Sequence, residues 1–293
     1  MLTYNILIPI LSGFFMKKIQ FFIITKSVGF FLNLSSYAHL DKAKIAAYQL
    51  FSQPRKGGLD KNKLPKTLQS ATQETFQYNN ENFQTYIWKG NEEIILLVHG
   101  WESNASRWKK LFPYLKPSGK TIIAIDAPAH GLSDGKEFNV PKYAECINVL
   151  IRKYQPKIVI GHSIGGAAIA YYLNKYQNPE IEKVILLGAP SDFKILSDNF
   201  IKLLSLNSKI QTQLENYYLE KFNIHIDDFS GHKFAKNFTQ KAFIAHDTKD
   251  KVVLIAEGRK YSKTWKNAIY IETTGLGHSM HDDDLYQKIV AFI

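Results

Sequence analysis

The chain has 293 residues, 45% of them apolar and 13% aromatic, with one cysteine and a formal net charge of +11. These values suit one large α/β domain or two small domains around a substantial core, and they exclude an intrinsically disordered chain. With Cys146 alone, an intramolecular disulfide and a multi-cysteine zinc site are excluded, and a reducing, cytoplasmic setting is expected, an exported or membrane-associated one staying open.

The lysines are spread along the chain, and no run of five or more basic residues occurs. The charge therefore reads as a solvated surface, and no nucleic-acid partner is expected. Near the N-terminus, residues 5–15 are apolar but short of the roughly 20 residues needed to span a bilayer. No positive charge precedes them, so they lack the first part of a secretory signal. Residues 19–34 form a second apolar stretch behind Met16-Lys17-Lys18, interrupted by Lys26 and followed by no small-x-small cleavage site. A signal, a helix at a membrane surface and a helix packed on the domain all stay open, as do Met1 and Met16 as starts. Residues 1–58 are taken as an apolar, helical leader and residues 59–293 as the principal domain.

From residue 83 onward, short apolar runs alternate with amphipathic segments. Residues 94–98, 121–125, 157–160, 184–187, 242–245 and 268–271 are mostly apolar runs bounded by Gly, Asp or Pro. They predict strands buried on both faces of a parallel sheet. Residues 85–88 suit an added antiparallel edge strand. Helical patterns fall at 143–154, 164–176, 254–265 and 284–292, so the order is that of βαβ units. The predicted fold class is α/β, a doubly wound, mostly parallel sheet with flanking helices. One stretch, 191–240, has no strand-like run and reads as helix over 193–204 and 209–222. It is too long for an ordinary connection, and a helical cap inserted into the domain is expected.

The chemistry concentrates at three strand ends. Gly161-His162-Ser163-Ile164-Gly165 is a G-x-S-x-G pentapeptide between a predicted buried strand and a predicted helix. Such a tight turn strains the serine backbone, and Gly161, Gly165 and Gly166 make room for it. A serine hydroxyl needs a base within hydrogen-bond reach, and the base needs a carboxylate to hold its tautomer. After the strand at 242–245 stand Asp247 and Asp250. Asp250 is preferred as the acid because its turn leads into Val252-Val253 and the next helix, whereas Asp247 suits a turn hydrogen bond to backbone. After the strand at 268–271 stand His278 and His281. His278 is preferred as the base, because its Gly-x-Gly-His loop can approach the elbow closely while His281 opens the acidic run of Asp282, Asp283 and Asp284. An oxyanion hole requires two backbone N–H donors. Ile164, after the serine, and Trp101, in His99-Gly100-Trp101 after the strand at 94–98, are the candidates. The side chains of His99 and Trp101 are read as packing or lining groups. The loop Asp126-Ala127-Pro128-Ala129-His130-Gly131-Leu132-Ser133-Asp134-Gly135 is read as a rigid turn framing the site.

Together, His99-Gly100-Trp101, the 126–135 loop, Gly161 to Gly165, Asp250 and His278 resemble the α/β-hydrolase superfamily over about residue 84 to the C-terminus. The wording Asp126-x-Pro-x-His-Gly-x-Ser is similar to that superfamily's loop after the fourth strand, where Asp-x-Arg-Gly-x-Gly-x-Ser is commoner. Up to Gly58, including Leu50-Phe51-Ser52-Gln53-Pro54-Arg55, the chain looks like the leader of a poorly characterised bacterial branch. The resemblance implies a cap, no cofactor and no metal, and acyl transfer to water through an acyl-enzyme. A small acyl compound, an ester above all, is then the expected substrate. A non-catalytic binding protein on the same scaffold is the alternative.

Overall fold

The computed structural model describes the backbone of residues 4–293, and side chains at Met16 and from Ile19 onward. Met1 and the side chains of the apolar stretch at 5–15 lie outside the described residues. The order runs α1 (Tyr4–Ala38), α2 (Leu40–Ser52), α3 (Lys66–Gln69), β1 (Thr72–Tyr78), β2 (Glu81–Trp88), β3 (Asn91–Val98), α4 (Phe112–Leu115), β4 (Lys120–Ile125), α5 (Val140–Tyr154) and β5 (Ile158–His162). It continues with α6 (Ile164–Tyr176), β6 (Lys183–Leu187), α7 (Phe193–Leu204), α8 (Ser208–Phe222), α9 (Gly231–Ala235), β7 (Lys241–Asp247), α10 (Ile255–Thr264), β8 (Ala268–Thr273) and α11 (Asp283–Phe292).

One compact unit comprises Ser52–Phe193 and Asp227–Ile293. It holds an 8-stranded sheet of order β1-β2-β4-β3-β5-β6-β7-β8. The strands from β3 to β8 are parallel, while β2 runs antiparallel to both β1 and β4. The central runs are apolar because they are covered twice. Ile95, Leu97, Ile160 and Leu187 face a layer built from Leu68, Trp108, Leu111, Leu285 and Ile289. Their alternate neighbours Leu96, Val98, Val159 and Leu186 are also buried, on the side where α6 packs against β3, β5 and β6. Such double burial is the physical meaning of an uninterrupted β-branched run.

Three expectations change. Residues 85–88 belong to a longer β2, and the sheet edge is β1, a polar strand paired on one side only. At the opposite edge β8 has no fully buried residue rather than being buried on both faces, with Ile269 and Glu272 exposed, because it is the last strand of the sheet. α5 also starts earlier than its apolar spacing suggests. The Asn139 side chain accepts the Lys142 N–H, and a proline sits in the first turn, where its missing donor is harmless.

A second unit comprises residues up to Phe51 together with Lys194–Ile226, so α1 and α2 group with α7 and α8. The two ends of the 191–240 stretch, including α9, belong to the sheet unit. There residues 192 and 230 form an antiparallel bridge, and the Phe193 N–H donates to the Phe229 carbonyl.

Close contact of α6 with β3 depends on glycine. A Cβ at Gly165 would lie 2.4 Å from the carbonyl oxygens of Val98 and His99, and one at Gly161 would lie 2.7 Å from the Gly166 Cα. Gly165→Val is expected to cost several kcal/mol, at or above the usual ~1–3 kcal/mol of overpacking, since backbone cannot yield as a side chain does. Gly58→Ala, where nothing lies within 4 Å of the added Cβ, should stay within about 0.5 kcal/mol of the parent. Chemical denaturation of both variants checks the contrast.

Candidate active site

All six parallel strands point their carboxyl ends at the same sheet edge, so loops far apart in sequence meet there. Ser163 follows β5 at once and has φ +52° and ψ −128°, a strained conformation for a residue with a side chain. The strain is held by bonds on both sides: Ser163 N–H donates to the Leu187 carbonyl, and the Gly166 N–H donates to the Ser163 carbonyl. The hydroxyl is thereby presented between β5 and the N-terminus of α6.

His278 Nε2 lies 2.9 Å from Ser163 Oγ, and His278 Nδ1 lies 2.7 Å from Asp250 Oδ2. A carboxylate only accepts, so the imidazole proton sits on Nδ1 and the Nε2 lone pair faces the serine hydroxyl. Burial by itself would raise the Asp250 carboxyl. The His278 N–H and the backbone N–H groups of Val252 and Val253 outweigh it and hold the group below the usual carboxylate range. Ionised Asp250, oriented imidazole and serine hydroxyl thus form one continuous hydrogen-bonded line.

The other two candidates stand elsewhere. Asp247 accepts from Thr273 Oγ1 and from the N–H groups of Lys249, Gly275 and Leu276. It therefore pins the loop that carries His278. His281 lies edge-on to Tyr286 and hydrogen-bonds its hydroxyl, while burial and then the charge of Arg107 push its imidazole down to about 4.

Ile164 directly follows Ser163, and the segment that carries Trp101 passes beside it. A Cβ on Gly100 would lie 2.9 Å from the Ser163 Cβ, so the backbone before Trp101 passes directly over the elbow. Among the described residues, neither the Trp101 nor the Ile164 N–H has an internal acceptor. Neutral histidines fix this loop. His99 donates from Nδ1 to the Gly100 carbonyl and accepts the Ala127 N–H at Nε2, and burial pushes it down to about 3. His130 donates from Nδ1 to the Pro128 carbonyl and accepts the Glu102 N–H at Nε2. Asp126, buried and pushed up to about 6 by desolvation, accepts from Ala105 N–H, Leu132 N–H and the Tyr86 hydroxyl. The 126–135 loop is a frame rather than a set of reacting groups.

Three further contributors carry no clear mark in the sequence. His162 Nε2 donates to the His278 carbonyl at 2.7 Å, tying the elbow to the histidine loop. Arg107 Nη2 donates to the next carbonyl, that of Ser279, at 2.7 Å. Gly188, with φ +57°, lets β6 end beside Asp250 and His278, its virtual Cβ falling 3.5 Å and 3.6 Å from them. His162 lies inside the pentapeptide, but only its contact reveals a task. Among the described residues, no group of three or more His, Cys, Asp or Glu side chains could hold a metal ion.

A family profile described as the alpha/beta hydrolase fold matches residues 93–232, which run from β3 through the elbow to α9. The chain has the α/β-hydrolase fold. A serine hydrolase-like protein of Homo sapiens is 34% identical over 118 residues, 38% of this chain and 56% of that protein. A bifunctional esterase/perhydrolase of Acinetobacter calcoaceticus is 28% identical over 102 residues, 33% of this chain and 36% of that protein. The chain thus spans between about a third and just over half of the curated relatives it matches. These relatives include animal proteins as well as bacterial ones. Among solved structures, an esterase from Rhodococcus sp. superposes with a TM-score of 0.57 at 17% identity, covering 76% of this chain and 98% of that one. At that identity the likeness speaks for the α/β-hydrolase fold alone.

Two outcomes follow from the Asp247 bonds. Asp247→Ala should lower turnover about 10²-fold, the scale of a small misplacement of a reacting group, with the serine still in place. Steady-state kinetics on a p-nitrophenyl ester checks it. Burial opposes the Asp247 charge, but its hydrogen bonds prevail and hold the carboxyl low. Below the usual carboxylate value, about pH 4, the unfolded chain binds more protons than the native one, so this contribution is present above that pH and lost as pH falls. The acid limb of a stability–pH curve should be flatter in Asp247→Asn than in the parent.

Proposed function

We propose that the protein is a serine hydrolase cleaving a carboxylic ester, or a related acyl bond, through an acyl-enzyme. The observation that carries this reading is the unbroken line from Asp250 through His278 to the strained Ser163 hydroxyl, with 2.7 Å and 2.9 Å links. The names of the relatives, a serine hydrolase-like protein and an esterase/perhydrolase, agree with it.

In this mechanism Ser163 Oγ attacks the carbonyl carbon as its proton passes to His278 Nε2. Ionised Asp250 stabilises the imidazolium and keeps its ring oriented. Negative charge gathers on the former carbonyl oxygen, and the N–H groups of Trp101 and Ile164 receive it. A preformed pair of donors in a site shielded from water stabilises that charge without reorganising. The imidazolium then returns the proton to the leaving alcohol, and the acyl group stays on Ser163. Water, deprotonated by the neutral imidazole, attacks the acyl carbon. Collapse of the second tetrahedral intermediate releases the acid and restores the hydroxyl.

The alternative, a binding protein that never forms an acyl-serine, predicts different chemistry. Ser163→Ala should lower ester turnover about 10⁴- to 10⁶-fold and abolish labelling by a fluorophosphonate. A parent protein that fails to label, or a variant within about tenfold of the parent rate, would refute the assignment. A series of p-nitrophenyl esters of rising chain length then reports which acyl group is preferred.

A further inference from the structure

The N-terminal helix is built inside out for a helix in water. Within its own unit, α1 attaches to the α7–α8 turn through its polar side chains. Lys26 Nζ donates to the Leu203 carbonyl and to Ser205 Oγ, Asn33 Nδ2 donates to the Ser205 carbonyl, and Asn207 donates to Asn33 Oδ1 and Ser36 Oγ. Gly29 lets the backbones touch, because a Cβ there would lie 1.7 Å from the Leu204 carbonyl oxygen. Positions 25, 26, 29, 33 and 36 fall on one face at helical spacing. The opposite side carries Phe21, Ile23, Ile24, Phe30, Phe31, Leu34 and Tyr37, all exposed, with Phe31 at 66%.

A water-facing helix does the reverse, burying its aromatics and leaving lysine and asparagine in solvent. The shape of the exposed surface also restricts what covers it. Phe21, Phe22, Ile23 and Ile24 are consecutive and all more than half exposed. Successive side chains on a helix point about 100° apart, so no single partner helix can cover all four. A broad apolar layer covers Phe21, Ile23 and Ile24 together, while Phe22 lies on the polar side, its ring beneath Lys26 Nζ. The charge agrees: α1 contains Lys17, Lys18 and Lys26 and no carboxylate. Near its end, Lys209 lies 4.3 Å over the Tyr37 ring, the aromatic–cation pairing suited to a headgroup layer.

We propose that α1 lies in the surface of a bilayer containing anionic lipid, its aromatic side in the acyl chains and its polar stripe, with the attached α7–α8 turn, toward the headgroups. The 20-residue stretch Ile19–Ala38 is long and apolar enough to cross a membrane. Crossing would carry Lys202, Ser205 and Asn207 of the bound turn into hydrocarbon, where unsatisfied polar groups are costly. An interfacial helix leaves them wet.

The test uses the full chain with an N-terminal tag, synthesised without cells in the presence of vesicles of equimolar phosphatidylcholine and phosphatidylglycerol. The protein should float with the vesicles in a density gradient, and protease added outside should remove the tag. Phe21→Asp/Phe31→Asp/Leu34→Asp changes only exposed positions. It should reduce the floated fraction by at least about tenfold while fluorophosphonate labelling and the helical circular dichroism stay unchanged. The proposal is overturned if the parent stays at the bottom of the gradient, or if the triple variant floats equally well. A protected tag, meaning a crossing helix, also overturns it, as does a stable lipid-free dimer that shields these side chains.

Discussion

The turn from β5 into α6 is the constraint on which the rest of the site depends. The chain must reverse from strand to helix within a residue, and Ser163 adopts φ +52° to do so. The reversal is possible because glycine at 161, 165 and 166 lets the helix backbone lie against β3 and β5 closer than any Cβ permits. The resulting strain is maintained by bonds from the neighbouring strand and from the first turn of the helix. It places the serine oxygen beyond the sheet edge, where loops from other strands can reach it.

Those loops are held by polar contacts more than by apolar packing. His99, His130 and His162 are buried, and burial lowers the affinity of each for a proton. A neutral imidazole donates at one nitrogen and accepts at the other, so it can join two backbone segments without bringing charge into the interior. Two of these histidines lace the Trp101 loop to the 126–135 loop. The third, with Arg107, grips successive carbonyls of the His278 loop, and Asp247 holds the same loop from its N–H side. The imidazole that faces the Ser163 hydroxyl is thus positioned from three directions.

The second unit shows a different use of polarity. Around α1 the hydrogen-bonding groups hold helix to turn, and the large apolar side chains are left outward. In the sheet unit the apolar residues are inside and the charged ones outside, as water demands. The two units therefore dispose their polar and apolar side chains in different ways.

The sequence alone determined the sheet-forming runs, their alternation with helices, and the three strand ends after which Ser163, Asp250 and His278 stand. These are legible because doubly buried strands write themselves as unbroken apolar runs and because a glycine-flanked serine has few other physical reasons to occur. β1 escaped it, since a polar edge strand paired on one side alternates too weakly to stand out, and the partial exposure of β8 was likewise not foreseen. Only the tertiary structure decided between Asp247 and Asp250 as the partner of His278, because both follow the same strand and differ only in which way the turn aims them. It alone gave Arg107, His130 and His162 their tasks, since a hydrogen bond between loops remote in the chain leaves no local pattern. It alone grouped the N-terminal helices with residues 194–226, a pairing made by polar contacts of Lys26, Asn33 and Ser36 and by ring contacts of Tyr48 and Phe51 with residues far along the chain.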